Sequence, residues 1–446
     1  MSRSLEVLDS SDHRQSAAWS YAKRPRSLAA GAPVAPGRAK PAVHRDRSDR
    51  RTRARKASIA VRRFVGPLAE ELFLHCRPSD GIADAAPQAE AVYQALLDAL
   101  ASEGVGPEAV VSETLFLRPT RRDFELARFV RSRVLGETGL EASHAATTFI
   151  GQRPLGGDAR LELSAVAVIP RFGGSSSGEV RRTSVCSCEA CTPGARARIV
   201  RQGDQINLHA GNVYGSGRDA FAEAYDMFRV GEGLLADAGM SFGNVVRTWI
   251  HVRDIDRDYA ALNEARREFF RRCGIERRPA STCVQGIPFP EAHDFSMSFH
   301  AATSPRALDI APMHTPLLNE AWTYGADFSR GLRITEANKV TLYVSGTASI
   351  DEAGRTVHVG HFEAQVDRML HNIASLLARQ GATFENLASG VTYLKNPNDA
   401  PVLRSMFRKR GFDGFPCAVV EAPLCRPDLL CETEAVALLP AATAGA

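Results

Sequence analysis

The chain has 446 residues, 44% of them hydrophobic and 24% charged, the make-up of a soluble globular protein long enough for two to four domains. No run of about 18 apolar residues exists, which excludes a membrane-spanning helix, and no apolar stretch follows the first charges, so no secretory leader is expected. Nine cysteines, an odd number scattered along the chain, point to a reducing compartment, with the cytoplasm as the default.

The net charge of +4 conceals two regions. Residues 1–63 hold 16 Lys and Arg against 5 Asp and Glu, which leaves the remainder at about −7. This Arg-, Ala- and Pro-rich start has no hydrophobic periodicity and is expected to be a disordered basic tail. Arginine runs also bind phosphate without specificity, but the acidic remainder makes a nucleic-acid partner unlikely as the main business.

Beyond the tail, one order of elements repeats three times. A helix pattern ending on Gly recurs as "AAPQAEAVYQALLDALASEG", "DAFAEAYDMFRVGEGLLADAG" and "HFEAQVDRMLHNIASLLARQG". A β-rich run and a second helix follow in "EAVVSETLFLRPTRRDFELARFVRSRV", "GNVVRTWIHVRDIDRDYAALNEARREFF" and "ENLASGVTYLKNPNDAPVLRSMFRKRG". Closing strands are read in "ARLELSAVAVIP", "HDFSMSFHAATSP" and "DLLCETEAVALLP". The copies are assigned to 64–172, 196–305 and 306–440, with a Cys-containing linker over 173–195. Each copy is expected to be an α+β unit, a mixed sheet with two helices on one face. The other face needs cover, which three tandem copies supply to one another as an intramolecular pseudo-trimer, a monomer or small oligomer with sites at the clefts between copies.

The last strand raises the chemical question. With period 2, Leu430, Glu432, Glu434, Val436 and Leu438 share one face, so two acids stand in line with apolar residues. A buried carboxylate without a fixed cation is easily protonated and suits a general acid. The alternative is that the two acids are solvated or paired with arginines. Alignment on the alanines sets Glu162, Met297 and Glu432 at equivalent points, so Glu162 marks a possible second site.

The ordered set of motifs resembles the RidA (YjgF) superfamily over about 64–440, most closely in "LYVSGTASIDEAGRTVHVGHFEAQVDRMLHNIASLL" and "CRPDLLCETEAVAL". That resemblance implies chorismate-mutase-like units forming trimers with active sites between neighbours. Copies two and three are similar to chorismatases, which hydrolyse chorismate to pyruvate and a ring acid, through "VVRTWIHV", "RRPASTCVQG", "TYG…FSRG", "GRTVHVG" and "CRPDLLCETE". Carried over by position, the resemblance makes Glu432 the catalytic acid, places Tyr324 and Arg330 in the pocket lining, and matches Gly346 and Cys425 to the branch that forms 3-hydroxybenzoate. The "YGADFSRG" segment is shorter than its chorismatase counterpart, and the first copy is additional. The carboxylate-binding Arg of simple imine deaminases is missing from "FPCAVVEAP", "RPASTCVQG" and "SHAATTFIG".

A dianionic substrate asks for guanidinium clamps, for which Arg330, Arg247, Arg267 and Arg355 are candidates. Cys425 is either a site thiol or a small buried hydrophobe. Cys186, Cys188 and Cys191 form C-x-C-x-x-C in the linker, which leaves open a metal site completed by a residue such as His209, reactive thiols, or a plain connector. The expected function is hydrolysis of a small anionic enol ether with no cofactor. An imine or enamine deaminase and a non-catalytic ligand-binding scaffold are the alternatives.

Overall fold

The computed structural model describes residues 56–66, 68–137, 145–171, 197–289, 291–306, 308–336 and 339–440, with the backbone of Trp19–Ser20 and Val180–Val185. Unit one comprises β1 (Trp19–Ser20), β2 (Ala57–Val65), β3 (Ala69–Pro78), α1 (Ala85–Ser102), β4 (Val110–Leu117), α2 (Arg121–Glu137), β5 (Ala146–Gly151) and β6 (Leu161–Pro170). Unit two comprises β7 (Val180–Val185), β8 (Ala197–Gln202), β9 (Gln205–Val213), α3 (Ala220–Asp237), β10 (Val245–Val252), α4 (Ile255–Arg272), β11 (Ala280–Gln285), β12 (Ile287–Pro288) and β13 (Phe295–Thr303). Unit three comprises β14 (Asp309–Pro312), β15 (Gly331–Thr335), β16 (Lys339–Ala348), α5 (Phe362–Ala378), β17 (Leu387–Leu394), α6 (Ala400–Arg410), β18 (Cys417–Glu421) and β19 (Cys431–Pro440). Strand β2 straddles the 63/64 boundary drawn from composition, and β7 lies inside the stretch read as a linker. Cys186, Cys188 and Cys191 lie outside the described residues.

The sheets run β1-β2-β3-β6-β4-β5-β12, β11-β10-β13-β9-β8-β7 and β14-β15-β16-β19-β17-β18. In each, the closing strand sits centrally and antiparallel to its neighbours, while the helix after β4, β10 or β17 crosses over to a parallel edge strand. The short strand β12 leaves its own sheet and pairs with β5 of unit one. Local chemistry repeats with the fold. Asp219 and Asp254 cap α3 and α4 by accepting from the Ala222 and Arg257 amides. Ser241 with Asn244, and Thr383 with Asn386, form the same reciprocal cap just before β10 and β17. Gly411 ends α6 at φ +68°, where a side chain would strain the backbone.

One face of each sheet packs under its two helices. On β19 that face carries Cys431, Ala435 and Ala437; on β13 it carries Phe295, Met297, Phe299 and Ala301; on β6 it carries Leu161, Leu163, Ala165 and Ala167. The opposite faces meet around a common centre. Phe64 and Phe73 meet Ala388 and Leu438; Val246 and Ala302 meet Leu332, Ile334 and Tyr343; Val111 and Val168 meet Val200. Every pair of units thus shares an apolar seam, and the chain is a pseudo-trimer of α+β units.

Polar groups lock those seams. Arg247, 1% exposed, donates through Nη2 to Glu434 Oε2 at 2.6 Å and to Thr282 Oγ1 at 2.6 Å. Trp249 Nε1 donates to Glu434 Oε1 at 2.7 Å, so both oxygens of a unit-three carboxylate are held by unit two. Lys339 of unit three pairs with Glu71 of unit one and with Glu336. Thr148 and Ser298 share a 2.6 Å hydroxyl hydrogen bond between units one and two.

Removing one partner of a fully buried pair strands the other charge. Arg247→Ala should therefore destabilise the chain by about 3–5 kcal/mol in chemical denaturation, and Arg247→Met combined with Glu434→Leu should recover most of that loss. A cost below about 1 kcal/mol for the single variant would mean that the seam does not rest on this pair.

Candidate active site

The registers locate three equivalent clefts. Glu432 lies opposite Tyr393 of β17 and Glu162 opposite Phe116 of β4, and the matching pair in unit two is His251 with Ser296. Ser296, not Met297, is therefore the counterpart of the two glutamates. Alignment on the alanines slips by one residue because β13 carries two in a row: Ala301, not Ala302, lies opposite Val245, as Ala437 lies opposite Leu387 and Ala167 opposite Val110. Met297 points into the helix-covered core.

The largest cleft lies between units two and three and has a volume of about 330 Å³. Glu432, Gly346, Arg330, Phe328, Cys425 and Arg426 come from unit three, and Tyr259, Asn263, Arg266, Ser281 and Cys283 from unit two. Two strands carry the unit-two wall: β10 pairs with β11, Thr248 opposite Ser281, and the bridge Val284–Leu424 brings Cys283 and Cys425 to neighbouring positions. Helix α4 supplies Tyr259, Asn263 and Arg266 from one face, at i, i+4 and i+7.

Glu432 is 5% exposed and accepts no hydrogen bond from any described residue. Burial and the neighbouring Glu434 carboxylate push its carboxyl up to about 8, against the pull of Arg247, Arg330 and Arg426. Arg247 is already engaged by Glu434, which is why it does not hold Glu432 ionised. The backbone gives the acid its room: a Cβ at Gly346 would come within 1.9 Å of Glu432 Oε1. Gly346 N–H donates to Thr282 Oγ1 at 3.0 Å, which ties that loop to the hydroxyl that Arg247 also holds.

Of the residues expected from sequence, Glu432, Arg330, Gly346 and Cys425 converge here. Arg330 is 3% exposed, donates through Nε to the Asn319 carbonyl at 2.8 Å, and stands 5.7 Å from the centre of the Phe328 ring. Burial, reinforced by Glu432, pushes the Cys425 thiol up to about 12, so it is a thiol and not a thiolate nucleophile at neutral pH. Tyr324 ends the short 3-10 turn Ala321–Tyr324, next to the pocket-lining Gly325. Arg247 sits in the inter-unit seam rather than in this cleft, and Arg267 turns outward to Asp327 and the Gly325 carbonyl. Arg355 pairs with Asp351 at the surface. Reading by sequence missed Arg266, one residue along from Arg267. It is 2% exposed, donates to Asn263 Oδ1 at 2.5 Å and lies 5.9 Å from the Phe328 ring centre. The i, i+4, i+7 spacing with Tyr259 and Asn263 is the signal that finds it.

The cleft between units one and three holds Glu162, with His75, Arg77, Arg404 and Cys417. The third is sealed: a Cβ at Gly211 would meet the Thr147 carbonyl at 2.6 Å, and Asn212, at φ +48°, accepts the Phe149 amide through Oδ1.

Because the folded chain holds a proton on Glu432 up to about pH 8 that the unfolded chain releases near the ordinary carboxyl value, this group's contribution to stability falls as pH rises between the two. Glu432→Gln should thus gain stability relative to the parent on going from pH 5 to pH 9, by roughly a few kcal/mol at most, in paired urea titrations. A constant difference across that range would contradict the shift.

The family model described as Endoribonuclease L-PSP matches residues 324–439, which is unit three. A 3-hydroxybenzoate synthase from Streptomyces hygroscopicus is 27% identical over 258 residues, covering 51% of this chain and 73% of that protein. The 3-aminoacrylate deaminase RutC from Acinetobacter baylyi is 29% identical over 104 residues, 23% of this chain and 82% of that protein. A crystal structure of a chorismatase superposes with a TM-score of 0.53 at 18% identity, covering 74% of this chain and 93% of that one, a likeness of fold. Among the described residues no helix is long and apolar enough to cross a membrane. Three repeated α+β units around a common centre, with the family match on the third, make this chain similar to proteins of the RidA superfamily.

Proposed function

We propose that the chain is a chorismatase-like hydrolase that cleaves chorismate, or a similar anionic enol ether, to pyruvate and a hydroxybenzoate-type acid in the Glu432 cleft. The observation that carries this reading is a buried carboxyl pushed up to about 8 that accepts no hydrogen bond among the described residues, in a cleft that also presents Arg266, Arg330 and Arg426. Similarity to a 3-hydroxybenzoate synthase over 258 residues supports the substrate class.

Enol-ether hydrolysis begins with a proton on the terminal vinyl carbon, and a carboxyl that stays neutral at pH 7 can donate it. The double-bond electrons take that proton, and cationic character develops on the carbon that carries the ether oxygen and the carboxylate. Water adds there and returns a proton to the Glu432 carboxylate. The resulting hemiketal collapses by breaking its bond to the ring oxygen, which releases pyruvate and a non-aromatic ring diol; loss of one water from that ring, a hydroxyl leaving with the proton of the neighbouring carbon, gives the hydroxybenzoate-type acid. Arg330 and Arg266 flank Phe328, so their guanidinium groups are placed to hold carboxylates while the ring lies against an aromatic face. Gly346 leaves the space that the acid and the vinyl group share.

The test is direct incubation with chorismate, with pyruvate and aromatic acids followed by chromatography. Turnover should fall on the alkaline side with a midpoint near pH 8, as Glu432 loses its proton. Glu432→Gln should lower kcat by about 10²- to 10⁴-fold without unfolding the chain. No turnover by the parent chain between pH 6 and 9 would remove the reading. Gly346→Ala should cost about tenfold or more in kcat with little change in unfolding midpoint, because its methyl group displaces the carboxyl. Likeness to a 3-aminoacrylate deaminase over 104 residues favours imine or enamine hydrolysis as the second reading, and ammonia release from 2-aminoacrylate in the absence of chorismate turnover would select it.

A further inference from the structure

We infer that the cavity at the common centre of the three units is a binding site for a small, uncharged aromatic molecule that carries a hydroxyl, a phenol in chemical class. This cavity lies between the inner faces of the sheets, away from the clefts of Glu432 and Glu162, and its chemistry is independent of the reaction proposed above.

The inner faces do not close on one another along the axis of the pseudo-trimer. They leave a cavity of about 190 Å³ walled by all three units. Its outline shows in the side chains. Val166 of β6, His209 of β9, Trp249 of β10 and Val436 of β19 lie on inner strand faces, yet each is only partly buried. Burial, with Lys339 adding to it, pushes His209 down to about 3, so the surface that His209 keeps opens on an interior space and not on bulk water. A dry cavity of about 150 Å³ takes a benzene molecule, so this one has room for a single ring with one or two small substituents.

Charge decides against an anion. The two cations among the lining residues are already matched: Arg247 is bonded to Glu434, and Lys339 lies between Glu71 and Glu336. The imidazoles add no positive charge, since burial pushes His251 down to about 4 and His300 well below its ordinary value, as it does His209. Between these polar positions the wall is apolar, with Phe73, Val200 and Leu438 beside the two valines. An uncharged occupant that is mostly hydrocarbon is favoured on leaving water for such a wall, and Phe73 and Trp249 offer aromatic surface to a ring.

A hydrogen-bonding group stands ready for a hydroxyl. His300 is fixed at both nitrogens, with Nδ1 2.6 Å from the Tyr343 hydroxyl and Nε2 3.0 Å from Asn207 Oδ1. His209 stacks on that fixed ring, centroids 4.4 Å apart and planes 9° apart, and is oriented by it. It makes no hydrogen bond to any described residue. A neutral imidazole offers one N–H and one lone pair, and a hydroxyl can accept from the first or donate to the second. Two more lining residues are short of partners: Arg247 and His251, 1% and 4% exposed, each keep one nitrogen, Nη1 and Nδ1, without a hydrogen bond. Buried polar atoms left so cost free energy, which a polar substituent on the ring can recover.

Isothermal titration of the full chain at pH 7 with phenol, and with toluene, tests this, since the two match in size and only phenol carries the hydroxyl. One phenol should bind per chain, about three- to tenfold more tightly than toluene. Benzoate, which adds a charge to the same ring, should fail to displace phenol even in about tenfold excess. His209→Phe, which keeps the stacked ring, should remove the preference for phenol over toluene. Val166→Phe, which fills the cavity, should weaken both by about tenfold or more. Thermal unfolding checks that each variant is folded; where one is not, the order of phenol over toluene and the failure of benzoate to compete decide on the parent chain. Absence of binding at millimolar phenol, displacement of phenol by benzoate, or undiminished phenol affinity in folded His209→Phe and Val166→Phe would overturn the inference. Phenol binding lost in Phe328→Ala and unchanged in His209→Phe would place the ligand in the Glu432 cleft and overturn it equally.

Discussion

The ion pair of Arg247 with Glu434 decides both how the units join and what the site can do. Strand β19 presents two acids to unit two, and unit two answers with one buried guanidinium and one indole N–H, both spent on Glu434. The pair fastens unit three to unit two and at the same time commits Arg247 to Glu434, leaving Glu432 to face Arg330 and Arg426 without accepting a hydrogen bond from any described residue. A carboxyl so placed, under a second negative charge and away from water, keeps its proton. Architecture and acidity therefore come from one constraint: two acids on a strand face that must be covered, with the buried Arg247 bonded to one of them.

The three clefts show what tandem copies permit that identical subunits do not. Their backbones share a register, yet the residues at the equivalent point have parted. Glu432 accepts no hydrogen bond among the described residues and has its carboxyl pushed up, Glu162 is braced by His75, and Ser296 faces a cleft closed by Thr147 and Asn212. Neighbouring walls have changed with them, as Ser281, Cys417 and Thr147 occupy matching positions beside the parallel crossovers. Sealing one cleft costs the chain a site and gains it an inter-unit seam, reinforced by β12 crossing to β5.

Much of this was legible in the residues because periodicity carries it. The three-fold order of strands and helices, the two helices per unit and the mutual cover of the sheets follow from hydrophobic spacing and from the need to bury a second sheet face. Glu432, Arg330, Gly346 and Cys425 were recognisable from motif position, and they do meet. What failed was finer than periodicity. Alignment on alanines selects Met297 over Ser296 because Ala301 and Ala302 stand side by side, and only the strand register shows that Ala301 matches Ala437 and Ala167. Arg267 was chosen over Arg266 because adjacent helix residues point about a quarter-turn apart, and only the shared face with Tyr259 and Asn263 separates them. Arg247 was read as a substrate clamp because its partner, Glu434, lies 187 residues away on another unit. The Glu162–His75–Ser164 chain joins residues of two strands whose pairing only the sheet reveals.

Infrared difference spectroscopy between the parent chain and Glu432→Gln reads the protonation state of this one carboxyl directly. The account predicts a neutral carboxylic-acid carbonyl band at pH 7, absent from the variant, that gives way to carboxylate with a midpoint near pH 8. A Glu432 already ionised at pH 7, titrating near the ordinary carboxyl value of about 4.3, would contradict it.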